Sequence, residues 1–234
     1  IDGAWVKGLL VEPDGATNLS EYSVITDANF DGSRFTITDN ATTAPDGSSE
    51  AAKVTEDATA ASSHYIKDNV NITTEADYTL SFYVKAAERD KVGLWFGGAD
   101  QTVQHRALFD LVAETATNQA GTTTQGMVAV GDGWYRIYMT AEAQVSSAFA
   151  PILYLSDASG NRDYDGDGSS GAYVWGAQLE AGYTATSLIP TSGAAVSRGA
   201  ESAEIPATVM DTLGLFNTVA VDGTELVDTG NTAA

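Results

Sequence analysis

Aromatic and cationic side chains recur at alternate positions in several short apolar segments of the sequence. Tyr83 and Lys85 close the segment 78–85, Trp95 lies in 92–96, and Arg136 and Tyr138 lie in 134–140. Gln104 and Arg106 join them from Gln104-His105-Arg106. In extended chain the side chains alternate between two faces, so these seven residues are expected to point the same way, opposite a core-facing set. Aromatic faces stack on the apolar faces of pyranose rings, while Arg, Lys and Gln donate hydrogen bonds to hydroxyls, and the combination suits a sugar-binding groove. It equally suits packing beneath a loop or against a second subunit, or simple exposure.

A second group is acidic. Asp163, Asp165, Asp167 and Gly168 satisfy the first half of a calcium loop, in which alternate carboxylates converge on a hard cation. The second half fails, because position 12 counted from Asp163 is Val174 rather than a bidentate Glu. Two readings stand: a structural Ca²⁺ site, with Asp157 and Asn161 as further ligands, or a hydrated acidic turn. No cofactor is required by either.

Catalysis has little support. Glycosidases need two carboxyl groups at a set separation, but with 32 Asp+Glu some pair meets any spacing by chance. No G-x-S-x-G elbow occurs, and Gly97-Gly98 and Gly131-Asp132-Gly133 lack the basic residue of a phosphate loop. A non-enzymatic protein is expected. The absence of Cys excludes disulfides and thiolate chemistry, and only His64 and His105 supply imidazole. Eleven Lys+Arg against 32 Asp+Glu give a net charge of -21, which repels nucleic-acid phosphates and anionic headgroups. Neither a nucleic-acid partner nor membrane insertion is expected.

Strands are expected to position these groups. In 78–85, Tyr78, Leu80, Phe82 and Val84 alternate with polar residues, and 134–140 places Tyr135, Ile137 and Met139 inward. Similar short runs occur at 35–37, 64–66, 92–96, 107–109, 152–155 and 172–175, bounded by Asp, Asn, Gly, Ser or Pro. The stretch 107–114 is the best helix candidate, but the Thr/Asn/Gly-rich residues 115–125 favour a strand running into a long loop. Many short strands at roughly 10-residue spacing predict an all-β, antiparallel two-sheet sandwich closed as a jelly roll. Its expected extent is 18–190, between an N-terminal connector (1–17) and a C-terminal arm (191–234) that pairs with another subunit or domain. Ile1-Asp2-Gly3-Ala4-Trp5 is neither a start nor a signal peptide, so the numbered chain is expected to begin inside a longer or processed polypeptide.

Several segments occur in a familiar order: 8–13 with Thr17-Asn18-Leu19, Ala44-Pro45-Asp46-Gly47, 78–85, Phe109-Asp110-Leu111, 131–136, 171–182 and 185–191. The series resembles a carbohydrate-binding-module-like jelly roll of bacteriophage tail, fibre and head-decoration proteins; similar modules accompany secreted polysaccharide-degrading enzymes. It spans about 8–200, and Gly-Trp-Tyr-Arg with Trp-Gly-Ala-Gln-Leu-Glu is its most specific part. Loop 161–168 is more acidic than that pattern usually carries. The resemblance implies a non-catalytic virion structural or attachment protein at a virion surface or outside the cell. Implied partners are other virion proteins, sister subunits in a homo-oligomer such as a trimer, and host glycans. The alternatives are a module of a polysaccharide-degrading enzyme and a purely structural cement protein. Trp134 and Trp175 fall within the resembling segments and are expected to anchor structure by filling the space between sheets.

Overall fold

The computed structural model describes residues 12, 14–68, 70, 76–98, 105–122, 124–143, 149–201, 219–222 and 225–228. Among the described residues every regular element is a strand. In chain order they are β1 (Ala16–Asn18), β2 (Asp31–Ser33), β3 (Phe35–Thr42), β4 (Ala51–Glu56), β5 (Ser62–Ser63), β6 (Tyr65–Lys67), β7 (Ala76–Ala86), β8 (Lys91–Gly98) and β9 (His105–Asp110). They continue as β10 (Thr115–Ala120), β11 (Thr124–Gly131), β12 (Trp134–Ala143), β13 (Phe149–Leu155), β14 (Asp163–Tyr164), β15 (Gly171–Ala181), β16 (Val196–Arg198), β17 (Val219–Asp222) and β18 (Glu225–Asp228).

The chain divides into a compact unit, Gly15–Gly199, and a second unit made of Ile1–Asp14 and Ala200–Ala234. In the second, Glu201 N–H donates to the Glu12 carbonyl at 2.9 Å, and β17 and β18 pair antiparallel.

The first unit is an antiparallel jelly-roll sandwich. Sheet I has the order β10-β9-β8-β13-β6-β2, and sheet II the order β11-β12-β7-β15-β4-β3, six strands in each. Alternation explains the interior. Leu80, Phe82 and Val84 of β7, Ile137 and Met139 of β12, and Val174 and Leu179 of β15 face Leu94 and Phe96 of β8, Phe109 of β9 and Leu153 of β13 in one buried cluster. Each fully buried aliphatic or aromatic side chain contributes about 1.5–3 kcal/mol by leaving water, which is what binds the two sheets together. Flanking the sandwich, β1 pairs with β16, so residues 16–18 and 196–198 belong to the same unit as the sheets.

Two local features set the outer face of sheet II. Asp132 and Gly133 join β11 to β12 with positive φ of 50° and 77°, the two-residue turn whose twist matches paired strands. In β15 an extra residue is inserted: Trp175 pairs with Tyr83 but Gln178 with Ser81. This bulge at Gly176-Ala177 resets the alternation, so Trp175, Gln178 and Glu180 all stand on the outer face while Ala177 and Leu179 point inward.

Residues 115–125 differ from the long loop expected of them. Thr115–Ala120 forms the edge strand β10, and β11 starts at Thr124. Thr and Asn are acceptable on an edge, where one side of the ladder meets water.

Candidate functional site

The face expected to hold seven residues is two faces. Tyr83 has Arg136 and Trp175 as its register partners, Lys85 has Trp134 and Tyr173, and Tyr138 pairs with Ser81, all in sheet II. Trp95 and Arg106 pair with each other in sheet I. The inner sides of the two sheets share one core, so their outer sides face opposite directions. Four of the seven are therefore brought together, two lie on the other side, and Gln104 lies outside the described residues. Alternation specifies in or out for each strand but not which sheet receives it.

On sheet II a cleft of ≈ 640 Å³ opens over Tyr83 and Trp175, with Pro45, Asp46, Glu50, Val130, Leu188 and Pro190 among its lining residues. Pro45, Asp46 and Glu50 come from the β3–β4 connection. Leu188 and Pro190 come from the segment after β15, which crosses the outer face as a strap. Gln178 holds that strap: its Nε2 donates to the carbonyls of Thr186 and Ser187, both at 3.2 Å, and its Oε1 accepts from Ile189 N–H at 2.7 Å. Glu180 accepts from Thr186 N–H at 3.0 Å and from the Thr186 hydroxyl at 2.6 Å. Asn18 completes the attachment by donating to the Ile189 carbonyl at 2.9 Å. Gln178, Glu180 and Asn18 are all buried, and the two bonds to Ile189 are made away from water, while those to Thr186 and Ser187 are half-buried.

Arg136 lies 5.4 Å over the Tyr83 ring and donates to the Ser81 hydroxyl at 3.0 Å. That contact fixes the tyrosine from behind while the cation stays beside the cleft. Trp175 is 7% exposed, and its indole N–H has no hydrogen-bond partner. A buried donor left unpaired costs free energy until something accepts from it. Next to this cleft a second depression, ≈ 500 Å³, is lined by Thr42, Thr43, Ala44, Lys85, Asp132 and Trp134. Tyr138 is turned across the edge: a side chain at Gly126 would meet its hydroxyl at 2.3 Å, so the ring lies over that glycine rather than in the cleft.

Trp134 and Trp175 do not fill the space between the sheets. They stand on the outer face of sheet II in a separate apolar cluster with Ala44 and Ala51, packed by Tyr83, Tyr173 and Leu188. Trp134 is structural there, its N–H donating to the Thr43 carbonyl at 3.2 Å and pinning the loop that walls the cleft. Trp175 is part of the site. The sequence signal for it was the Trp-Gly-Ala-Gln-Leu-Glu run, whose glycine marks the bulge; Asp46, Leu188 and Pro190 lie in other segments of the resemblance, 44–47 and 185–191, but their residue types pointed to no site role.

The three loop aspartates do not converge. Among the described residues no group of three His, Asp or Glu side chains is arranged to hold a metal ion. Asp163 is occupied by the Arg162 guanidinium at 3.1 and 2.8 Å, Asp165 accepts from Ala61 N–H at 2.8 Å, and Asp167 accepts from Ser169 and Ser170. The three carboxylates are thus engaged separately, by a guanidinium, by backbone amides and by Ser hydroxyls, and as placed they do not form a common cage. Hydrogen bonds from the Ser170 hydroxyl and the Ser169 and Ser170 amides hold the Asp167 carboxyl well below the usual carboxylate range.

No family model and no curated protein matches the chain. Among solved structures it is similar to the CBM22-1-GH10 modules of Clostridium thermocellum endo-1,4-beta-D-xylanase 10B complexed with xylohexaose, at 11% identity and a TM-score of 0.39 over 76% of this chain. The match spans 30% of that protein's chain. It is also similar to a carbohydrate-binding module of Cellvibrio mixtus lichenase 5A in complex with cellotriose, at 14% identity and a TM-score of 0.37, covering 74% of this chain and 100% of that one. The sandwich itself follows from the strand pairing.

Proposed function

We propose that the chain is a non-catalytic glycan-binding protein whose ligand occupies the cleft on sheet II. The edge-to-face rings of Tyr83 and Trp175, which line one cleft, carry this reading. A sugar ring lying against Tyr83 and Trp175 covers apolar surface with its C–H face. Asp46 and Glu50 at the margin accept from further hydroxyls. The volume falls within the usual ~300–1,000 Å³ of ligand clefts. Two marginal carboxylates and the net charge of -21 favour a neutral sugar chain.

For the setting, the resemblance over 8–200 supports attachment at a bacteriophage particle surface, with sister subunits or other virion proteins as partners. A binding module of a secreted polysaccharide-degrading enzyme would use the same cleft in the same way. Light scattering separates them: a stable trimer supports the virion setting, and a monomer at micromolar concentration supports the module.

The deciding experiment is calorimetric titration against a panel of neutral oligosaccharides, with Tyr83→Ala and Trp175→Ala as variants of checked fold. Binding by the parent and its loss in both variants is expected. Absence of binding to every neutral glycan, or binding that survives both substitutions, overturns the cleft as the site.

A further inference from the structure

The outer face of sheet I carries a different arrangement, which the cleft on sheet II does not use. Here Arg106, Gln119, Tyr154, Gly160, Asn161, Arg162 and Asp163 line a pocket of ≈ 240 Å³. Arg106 stands on β9 opposite Trp95, and Arg162 reaches in from the loop after β13 with its guanidinium 5.0 Å over the Trp95 ring. Arg162 turns Nε and one terminal nitrogen to Asp163, while its other terminal nitrogen, Nη1, is buried without a partner. Nε of Arg106 is likewise buried and unpartnered, and among the described residues Arg106 has no ion pair. Two guanidiniums therefore line the pocket with a single carboxylate, which only Arg162 engages. Burial pushes the Tyr154 phenol up to about 12, so the floor adds no negative charge.

We infer that this pocket is a second binding site, taking one carboxylate carried by a uronic-acid type of sugar residue. Guanidinium donors in a fixed fork match a carboxylate's two oxygens, and an unbalanced positive charge stands out in a chain of net charge -21. The pocket is smaller than the ~300 Å³ at which ordinary ligand clefts begin, so it fits one residue rather than a chain. The sugar half of the inference rests on the glycan reading above; the carboxylate half rests on the arginines alone.

The test is a titration of the full chain with sodium glucuronate, read by nuclear magnetic resonance at the arginine Nε–H groups, with glucose and sodium sulfate as parallel arms. Saturable shifts at Arg106 and Arg162 with glucuronate, and none with glucose, are expected. Arg106→Gln and Arg162→Gln should each weaken glucuronate by about 10-fold or more, and Asp163→Asn, which frees Arg162, should strengthen it by about 3-fold. Far-ultraviolet circular dichroism confirms the fold of each variant. No saturable shift, equal response to glucose, or sulfate binding as tight as glucuronate overturns the assignment. Trp175→Ala separates the two sites: glucuronate shifts that vanish in that variant would refute a separate pocket, whereas their persistence supports it even if neutral glycans fail to bind the cleft.

Discussion

Tyr83 and Trp175 are register partners on neighbouring strands, and their rings meet edge to face with centroids 5.2 Å apart. The bulge immediately after Trp175 makes this meeting possible. Gly176 has a φ of 64°, and a side chain there would come within 2.7 Å of the Tyr83 ring.

Gly176→Ala tests that dependence. A non-glycine residue at this φ costs roughly 1–2 kcal/mol, and the added methyl must also displace Tyr83. Urea denaturation should show a loss of about that size or more, together with weaker binding of any neutral glycan that the parent binds. Unchanged stability and affinity would mean that the ring pair tolerates displacement and does not define the cleft.

The strap offers a second prediction. Gln178→Ala removes the acceptor of the buried Ile189 amide and one donor each from the carbonyls of Thr186 and Ser187. A buried amide stranded in this way costs about 1–3 kcal/mol, so the unfolding midpoint should fall measurably. Because Leu188 and Pro190 wall the cleft, glycan affinity should fall with it. A loss of stability with undiminished affinity would show that the strap is not part of the site.

Acid sensitivity should centre on Glu56. Burial alone would raise its pKa, but hydrogen bonds from Arg89 at 2.8 and 2.5 Å, the Tyr164 hydroxyl at 2.5 Å and the Asp167 amide at 2.8 Å outweigh it and leave the carboxyl below its ordinary value of 4.5. A group depressed on folding contributes stability that is complete above its unfolded pKa and is lost as pH falls through the folded one. Melting scans should therefore decline from pH about 4.5 downward. Glu56→Gln should be less stable at neutral pH, because Arg89 loses its buried counter-charge, and should decline less steeply in acid. A parallel pH dependence in both proteins would remove Glu56 as the source.

Much of the sandwich was legible in the sequence, and the reason is visible in β7. Tyr78, Leu80, Phe82 and Val84 alternate without interruption, the strand is central in sheet II, and all four are buried. The outward direction of Tyr83, Lys85 and Arg136 was readable for the same reason. What alternation could not supply was sheet membership, since Trp95 on β8 and Tyr83 on β7 have the same local pattern while facing opposite sides of the molecule. Nor could it supply the strap, because Leu188 and Pro190 acquire their role from buried Gln178 and Glu180, residues whose polarity in a strand reads as exposure.

The acidic loop gives the last prediction, in which the three aspartates should behave unequally. Asp167 accepts hydrogen bonds from the Ser169 amide at 2.8 Å, the Ser170 amide at 2.7 Å and the Ser170 hydroxyl at 2.6 Å, and lies 3.8 Å from Arg89. Asp165 accepts from the Ala61 amide, and Asp163, itself exposed, engages Arg162. Asp167→Ala should lower stability by about 1–2 kcal/mol, a figure reduced for the exposure of its side chain. Asp163→Ala, an exposed ion pair, should stay within about 0.5 kcal/mol of the parent. Removal of divalent cations by a chelator should leave all three melting midpoints, parent and variants, where they were. A cation held jointly by the three carboxylates would instead make the substitutions similar in size and would lower the parent's midpoint on chelation, because a ligand that binds only the folded state stabilises it in proportion to its occupancy. That pair of results would instead support a calcium site built on Asp163, Asp165 and Asp167.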